Sequence, residues 1–548
     1  MHLARTPALR LDTLASYRAA GKTSIGAIIS VLLLVLLVAY LAAFIATSVA
    51  RIVYPYQADD LEDVALAEVQ RILTGQPIYV APTLEYVPLI YGPVFFYLSA
   101  AVAVVTGPNF ASVRLVATLA SLGAMLLAGL LVRRETGSLV AALVAAGLLA
   151  ASQPLLNGVL NVGRTDSTCL FFLLAALYVI RTASLAPRVR WWALAAGGCL
   201  TGLALLTKQS VAPVGVAIVV YLACTTPTQV VPFLVALCVT VAAPLAVLTV
   251  QSGNWPLFYL WDLPRRHELR PDLMPRFWQL DILPRATVAL LLGPVFLIAR
   301  ALSRDWKTVV FYGLIAASMF ASAWAPRANT GGARNVLLPA YAILAIMAAL
   351  GLREGLVQLA PSTHPNSRAF RAYVLFVGLF QCVIMLYAPR PMAPYRSDLW
   401  ADDRMANKLA DLGGSIFAPS YGTYLRGTQS SAQPNIGALL ELTGGYGGGM
   451  TPQGGQWLGE LGNALQQRRY QYVLLDPEAT DFFLTTLVRE SGYVRAGPLF
   501  PVGDQLWTWR RSANDTPAGL FITPKADVYV PRERAPSGGE ISSRPLGS

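Results

Sequence analysis

Apolar runs near twenty residues long recur along the chain, and the polar breaks between them are basic at every second interruption. The first run, 25–50, follows Arg5, Arg10, Arg18 and Lys22. It is too long for a signal-peptide core and lacks a clear cleavage site, so it reads as an uncleaved span. Further runs lie at 113–132, 139–155, 169–180, 191–206, 211–224, 230–250, 286–302, 309–323, 336–352 and 373–387. In this register Arg133-Arg134, then Arg181, Arg188 and Arg190, then Arg304 and Lys307 all fall on the side of the N-terminus. The positive-inside bias makes that side cytoplasmic. The pattern predicts a polytopic α-helical membrane protein of about eleven spans. Residues 1–24 form a cytoplasmic N-terminus, 25–390 a membrane domain, and 51–110 and 251–284 its large external loops. The apolar stretch 95–105 is too short to cross and reads as interfacial.

The first external loop carries an unusual density of acid. Asp59, Asp60, Glu62 and Asp63 stand just past the first span. Leu61, Val64, Ala65, Val69 and Ile72 follow at helical spacing, and Gly75 then Pro77 stop the pattern. These residues predict a short amphipathic helix with an acidic N-terminus at the membrane surface. Asp59 and Glu62 also fit a capping box, so capping and catalysis both remain open on spacing alone.

Composition supports the membrane reading: 55% of the residues are hydrophobic and only 13% charged, against about 25% charged in soluble domains. The net charge of +12 therefore reflects topology, and no basic, aromatic-interleaved patch points to nucleic acid. The five cysteines lie in apolar spans without a CxxC pair, and the three histidines are scattered, so neither a disulfide nor a histidine-based metal site is expected. After the last span the composition turns soluble. Residues 391–511 read as a small extracytoplasmic α/β domain, with strands at 415–417, 472–475 and 506–509 and helices at 401–412 and 481–491. Its glycine-rich stretch 444–455 lacks the strand–loop–helix context of a phosphate cradle and reads as a flexible loop. Residues 512–548, rich in Pro, Ser and Gly, are expected to be disordered.

This topology collects the uncommon polar residues near span ends on the external face. They are Asp59, Asp60 and Asp63; Arg164 and Asp166; Lys208 and Gln209; Arg265, Arg266, His267, Arg270 and Arg276; and Arg327, Asn329, Arg334 and Asn335. A charge at bilayer depth costs about 2.5–3.5 kcal/mol on insertion scales, which favours a functional cavity. Competing roles exist for each. Arg164 and Asp166 also suit a helix cap or a mutual pair, Lys208 suits snorkelling, and the loop arginines suit a headgroup-facing surface.

The acidic loop with LTGQPIY, the R-x-D of NVGRTD opening a span, LLTKQS closing another and GGARNVLLP entering a later one together resemble a known family. They are similar in order and sidedness to the GT-C superfamily of integral-membrane glycosyltransferases, above all the bacterial branch related to protein O-mannosyltransferases and aminoarabinose transferases. The resemblance covers residues 25–390. It implies a sugar donor on a polyprenyl phosphate and a first-loop carboxylate, Asp59 or Asp60, as catalytic base. Asp63, Arg164, Asp166, Lys208, Gln209, Arg327, Arg334 and Asn335 would then bind substrate. Asp166, with Asp60, resembles the acidic positions that hold a divalent cation (Mg or Mn) in the oligosaccharyltransferase branch, while the other branch often works without one.

The residue types suit that chemistry. An acceptor hydroxyl attacking an anomeric carbon needs a carboxylate to take its proton. The departing phosphate needs fixed cations. A lone carboxylate base gives inversion, whereas retention needs a second one as nucleophile. The expectation is therefore a glycosyltransferase at the outer face of the cytoplasmic membrane, acting on a glycan, lipid or protein acceptor. The rival from another class is a transporter or flippase of a lipid-linked or anionic envelope precursor. Repeated halves and midplane polar residues would mark it, and the chain has no evident halves.

Overall fold

A computed structural model of the chain describes residues 24–186, 190–358, 366–389, 392–476, 482–500 and 526–534. Among these, eight helices are long and apolar enough to cross a membrane. The longest continuous ones are α1 (Ile25–Ile52) and α4 (Phe110–Thr136). Three other expected spans form shorter helices: α5 (Leu139–Ala151), α7 (Trp191–Leu205) and α8 (Ala212–Thr225). At 1.5 Å per residue these are roughly 20–22 Å long, less than the ~30 Å hydrocarbon core. Single turns at Gln153–Leu156 and Gln209–Val211 adjoin two of them. The interfacial stretch becomes a 13-residue helix, α3 (Val94–Thr106), closed by Gly107.

Helix α12 (Leu338–Gln358) is the axis of the bundle, buried along almost its whole length. Its Ala340, Ala342, Ala345, Ala348 and Ala349 are all buried. At Gly351 a Cβ would stand 1.9 Å from the Leu292 carbonyl oxygen of α10 (Leu283–Leu302). Small residues let the two backbones touch, which replaces the hydrophobic drive that lipid does not supply.

The acidic helix forms as expected, as α2 (Glu62–Leu73), with Val64, Ala65, Leu66 and Val69 buried. It has no side-chain cap. Glu62 instead turns inward, away from the capping role that its spacing allowed. It accepts from the Ala58 and Gly163 amides at 2.6 and 2.7 Å and from Arg114. Burial pushes this carboxyl up, but Arg114 and the amides outweigh burial and hold it below the usual range.

The C-terminal unit opens with α14 (Arg396–Leu412) and carries a four-stranded sheet. The strands are β1 (Ile416–Phe417), β2 (Tyr472–Leu475), β3 (Tyr493–Pro498) and β4 (Asp527–Pro531), in the order β1-β2-β4-β3. β1 runs parallel to β2, whereas β4 is antiparallel to both neighbours, with Val473 opposite Tyr529. β4 lies within the stretch expected to be disordered; its DVYVP is fully buried between two partners, which no local composition reveals. The strand expected at 506–509 lies outside the described residues. Helices α15 (Ile436–Thr443), α16 (Pro452–Gln466) and α17 (Phe482–Glu490) complete the unit. It is docked on the loop that follows α1: Trp457 and Leu461 share one apolar core with Val69, Phe95 and Val113. The Trp457 indole donates to the Thr83 carbonyl at 2.8 Å.

Candidate active site

Above the bundle, under the C-terminal unit, lies a cavity of about 460 Å³ bordered by Asp60, Tyr91, Arg164, Lys208, Asn335 and Glu441. Its charged side is built from helix ends. Arg164 precedes the helix α6 (Thr165–Ser184), and its extended backbone lets the side chain run along the cavity wall. The guanidinium Nη1 donates to both oxygens of Asp59, at 3.0 and 3.2 Å. Its Nε lies 3.5 Å from Asp166, in the first turn of α6. Asp166 in turn accepts from the Lys208 ammonium at 2.5 Å and from the Asn335 amide at 2.9 Å. The Lys208 ammonium sits 5.4 Å above the Tyr91 ring centre. Asp59, Arg164, Asp166 and Lys208 thus alternate in sign, each side chain at most 13% exposed. Pairing is what permits four charges to be buried together.

The other expected residues divide. Asp60 faces the cavity. Gln209 borders it too, but its amide is spent on the Ile90 and Leu260 carbonyls at 3.0 and 3.3 Å, so it braces the wall. Asp63 turns to the opposite side of α2, where it accepts from Asn435 at 2.7 Å. Arg327 and Arg334 do not border the cavity: Asp281 holds Arg327 at 2.7 Å and lies 3.8 Å from Arg334. Asp281 is buried. Its one signal in the sequence is a lone carboxylate at the head of an apolar run. Arg265 and Arg270 pair with Asp262 and Asp272 of their own loop and face solvent.

The roof comes from residues that hydrophobic patterning does not mark. Glu441, on α15, bonds His267 of the long loop with Nε2 and Oε2 2.5 Å apart. Burial pushes the His267 imidazole down, but the hydrogen bond and charge of Glu441 outweigh it and hold it above the ordinary histidine value. Tyr446 packs against the His267 ring and against Gly331. The glycine-rich stretch is therefore a packed interlock. A Cβ on Gly448 would stand 2.0 Å from the Arg266 carbonyl oxygen, and Gly447 has φ +89°. The long loop continues the interlock as a bridge between Leu269 and Asn329.

Asp166 accepts from Lys208 and from the Asn335 amide through one oxygen, while its other oxygen makes no hydrogen bond and lies 3.5 Å from Arg164 Nε. Among the described residues no three His, Cys, Asp or Glu side chains converge as a metal site.

Residues 88–249 match the family of dolichyl-phosphate-mannose-protein mannosyltransferases. No curated protein matches the chain. The fold is similar to that of ArnT from Cupriavidus metallidurans bound to undecaprenyl phosphate: the TM-score is 0.54 at 13% identity, covering 90% of this chain and 97% of that one. The same protein in the apo state matches at TM-score 0.54 and 14% identity, over 82% and 94% of the two chains. The Archaeoglobus fulgidus oligosaccharyltransferase in the apo form gives 0.51 at 14%, over 82% and 71%. The chain thus shares the fold of these structures, and residues 88–249 of its 548 carry the family match.

Proposed function

We propose that the chain moves a sugar from a polyprenyl-phosphate donor to an acceptor hydroxyl at the outer face of the cytoplasmic membrane, with Asp60 as general base. One observation carries this reading: a carboxylate and two buried cations border the same cavity where the bundle meets the C-terminal unit. Asp60 accepts the proton as the acceptor oxygen bonds to the anomeric carbon and the carbon–phosphate oxygen bond breaks. The electron pair leaves with the polyprenyl phosphate, whose growing charge faces Lys208 and Arg164. Asp59 is the weaker choice for the base, because Arg164 engages both its oxygens. A single base predicts inversion. The ArnT of similar fold binds undecaprenyl phosphate, which supports a lipid donor. The basic breaks between spans support a cytoplasmic N-terminus and an extracytoplasmic C-terminal unit. Purified protein given either polyprenyl-phosphate sugars or nucleotide sugars tests the reading. Transfer or donor hydrolysis is expected with the lipid alone, and use of nucleotide sugars alone would refute it.

A further inference from the structure

A second cavity, of about 590 Å³, lies on the other side of α2, between that helix and the C-terminal unit. The two cavities share a thin wall. Asn435 donates to the Asp60 carbonyl and to the Asp63 carboxylate, both at 2.7 Å. Asp60 borders the first cavity and Asp63, three residues on, borders the second. The lining of the second is rich in groups that bond hydroxyls, including Asp63, Gln70, Thr74, Gln76 and Ser431. Its charges are mostly spoken for. Arg71 donates to the Pro77 carbonyl at 2.9 Å and stacks on Tyr86, and Glu85 pairs with Arg469. Arg426 differs. Among the described residues it makes no hydrogen bond or ion pair; it lines the cavity, and its guanidinium lies 4.2 Å from the centre of the Phe110 ring.

From this juxtaposition we infer that the second cavity is the acceptor subsite, taking a saccharide that carries one acidic group against Arg426. The assignment as acceptor rests on the transferase reading. The lining mixes hydroxyl-bonding groups with the apolar faces of Val64, Ala67, Tyr86 and Val87, which suits a sugar ring, polar at its edge and apolar on its face. The Asp63 carboxylate acts on this guanidinium only through space, so its five N–H donors stay available to a carboxylate or phosphate.

The test is binding to the purified full chain, without donor, of three probes: cellobiouronic acid with its single carboxylate, neutral cellobiose, and an N-acetylated, C-amidated Gly-Asp-Ser-Gly peptide. Cellobiouronic acid should bind at least tenfold more tightly than either other probe. Arg426→Gln should remove that preference, and Ser431→Trp, which fills the cavity without changing charge, should weaken binding at least tenfold. Both positions are exposed, and an unchanged Tm would show that the variants fold. Cellobiose or the peptide binding as well as the acid, or binding that survives both substitutions, would overturn the assignment. Because the assay contains no donor, its failure leaves the transferase reading standing, and failed transfer leaves this result intact.

Discussion

The Arg114 guanidinium grips both oxygens of Glu62, at 2.9 and 2.6 Å, with neither side chain exposed. Arg114 belongs to a membrane helix and Glu62 to the acidic loop, and the same guanidinium donates to the carbonyls of Arg51 and Tyr54. Gly163, next to Arg164, donates to Glu62 as well. This pair therefore fixes Asp59, Asp60 and Arg164 relative to one another. Removing one partner of a buried pair strands the other charge and costs about 3–5 kcal/mol. Glu62→Ala should lower the thermal midpoint strongly, whereas Glu85→Ala, from the exposed pair with Arg469, should cost less than about 1 kcal/mol. Equal effects would mean that the Glu62 site does not organise the loop.

Adjacent carboxylates make a discriminating comparison. Asp60→Asn removes the proposed base with little change in size, so turnover should fall about 10²–10⁴-fold while folding persists. Asp59→Asn leaves the base but weakens the hold on Arg164. Its main effect should be a raised half-saturating donor concentration. Assays of turnover and donor saturation on both variants check this. A larger loss of turnover at Asp59 would reverse the two roles.

Hydropathy is a local property, so the runs that became helices were readable directly, as was α2 from its apolar spacing. The acids just past the first span were readable for the same reason, since charge is rare in this chain. What was not readable depends on partners remote in sequence. Glu62 looks like a cap until Arg114, 52 residues away, is brought to it. Nothing near Arg327 and Arg334 in the sequence announces Asp281, which the fold sets beside both. β4 sits among Pro and Ser, and only its pairing with β2 and β3 makes it a strand. Glu441 and His267 are 174 residues apart, and neither sits in a motif.

That last pair makes the roof sensitive to pH. Glu441 raises the folded-state pKa of His267 above its unfolded value of about 6.5. A raised pKa means that the pair's contribution is complete below about pH 6.5 and is lost as pH rises through the folded-state value. The wild-type chain should lose thermal stability as pH rises above about 6.5, and His267→Gln should flatten that dependence. Parallel melting profiles for the two proteins would remove His267–Glu441 from the account.

The external assignment of the C-terminal unit is checked by labelling. Ser431 and Ser303 are both exposed, one on the C-terminal unit and the other at the opposite end of the bundle. Cysteine placed at Ser431 should react with an impermeant thiol reagent in intact cells. Cysteine placed at Ser303 should react only after permeabilisation. Labelling at Ser303 in sealed cells would invert the topology.

Donor recognition follows from which cations border the cavity. Lys208 spends one of its three N–H donors on Asp166, and the ammonium still borders the cavity. A hydrogen bond between charged groups contributes about 1.5–3 kcal/mol, roughly 10–100-fold in affinity. Lys208→Met should therefore raise the half-saturating concentration of a polyprenyl-phosphate sugar by about that factor. Arg327 has the same charge but is committed to Asp281 and the Gly332 carbonyl behind the cavity wall. Arg327→Met should instead leave Asp281 buried without its main partner, lowering stability while the folded fraction keeps its donor affinity. Donor titrations with stability measured on the same preparations separate the two. If Arg327→Met weakens donor binding and Lys208→Met does not, the phosphate lies against Asp281, and the site has been drawn around the wrong cations.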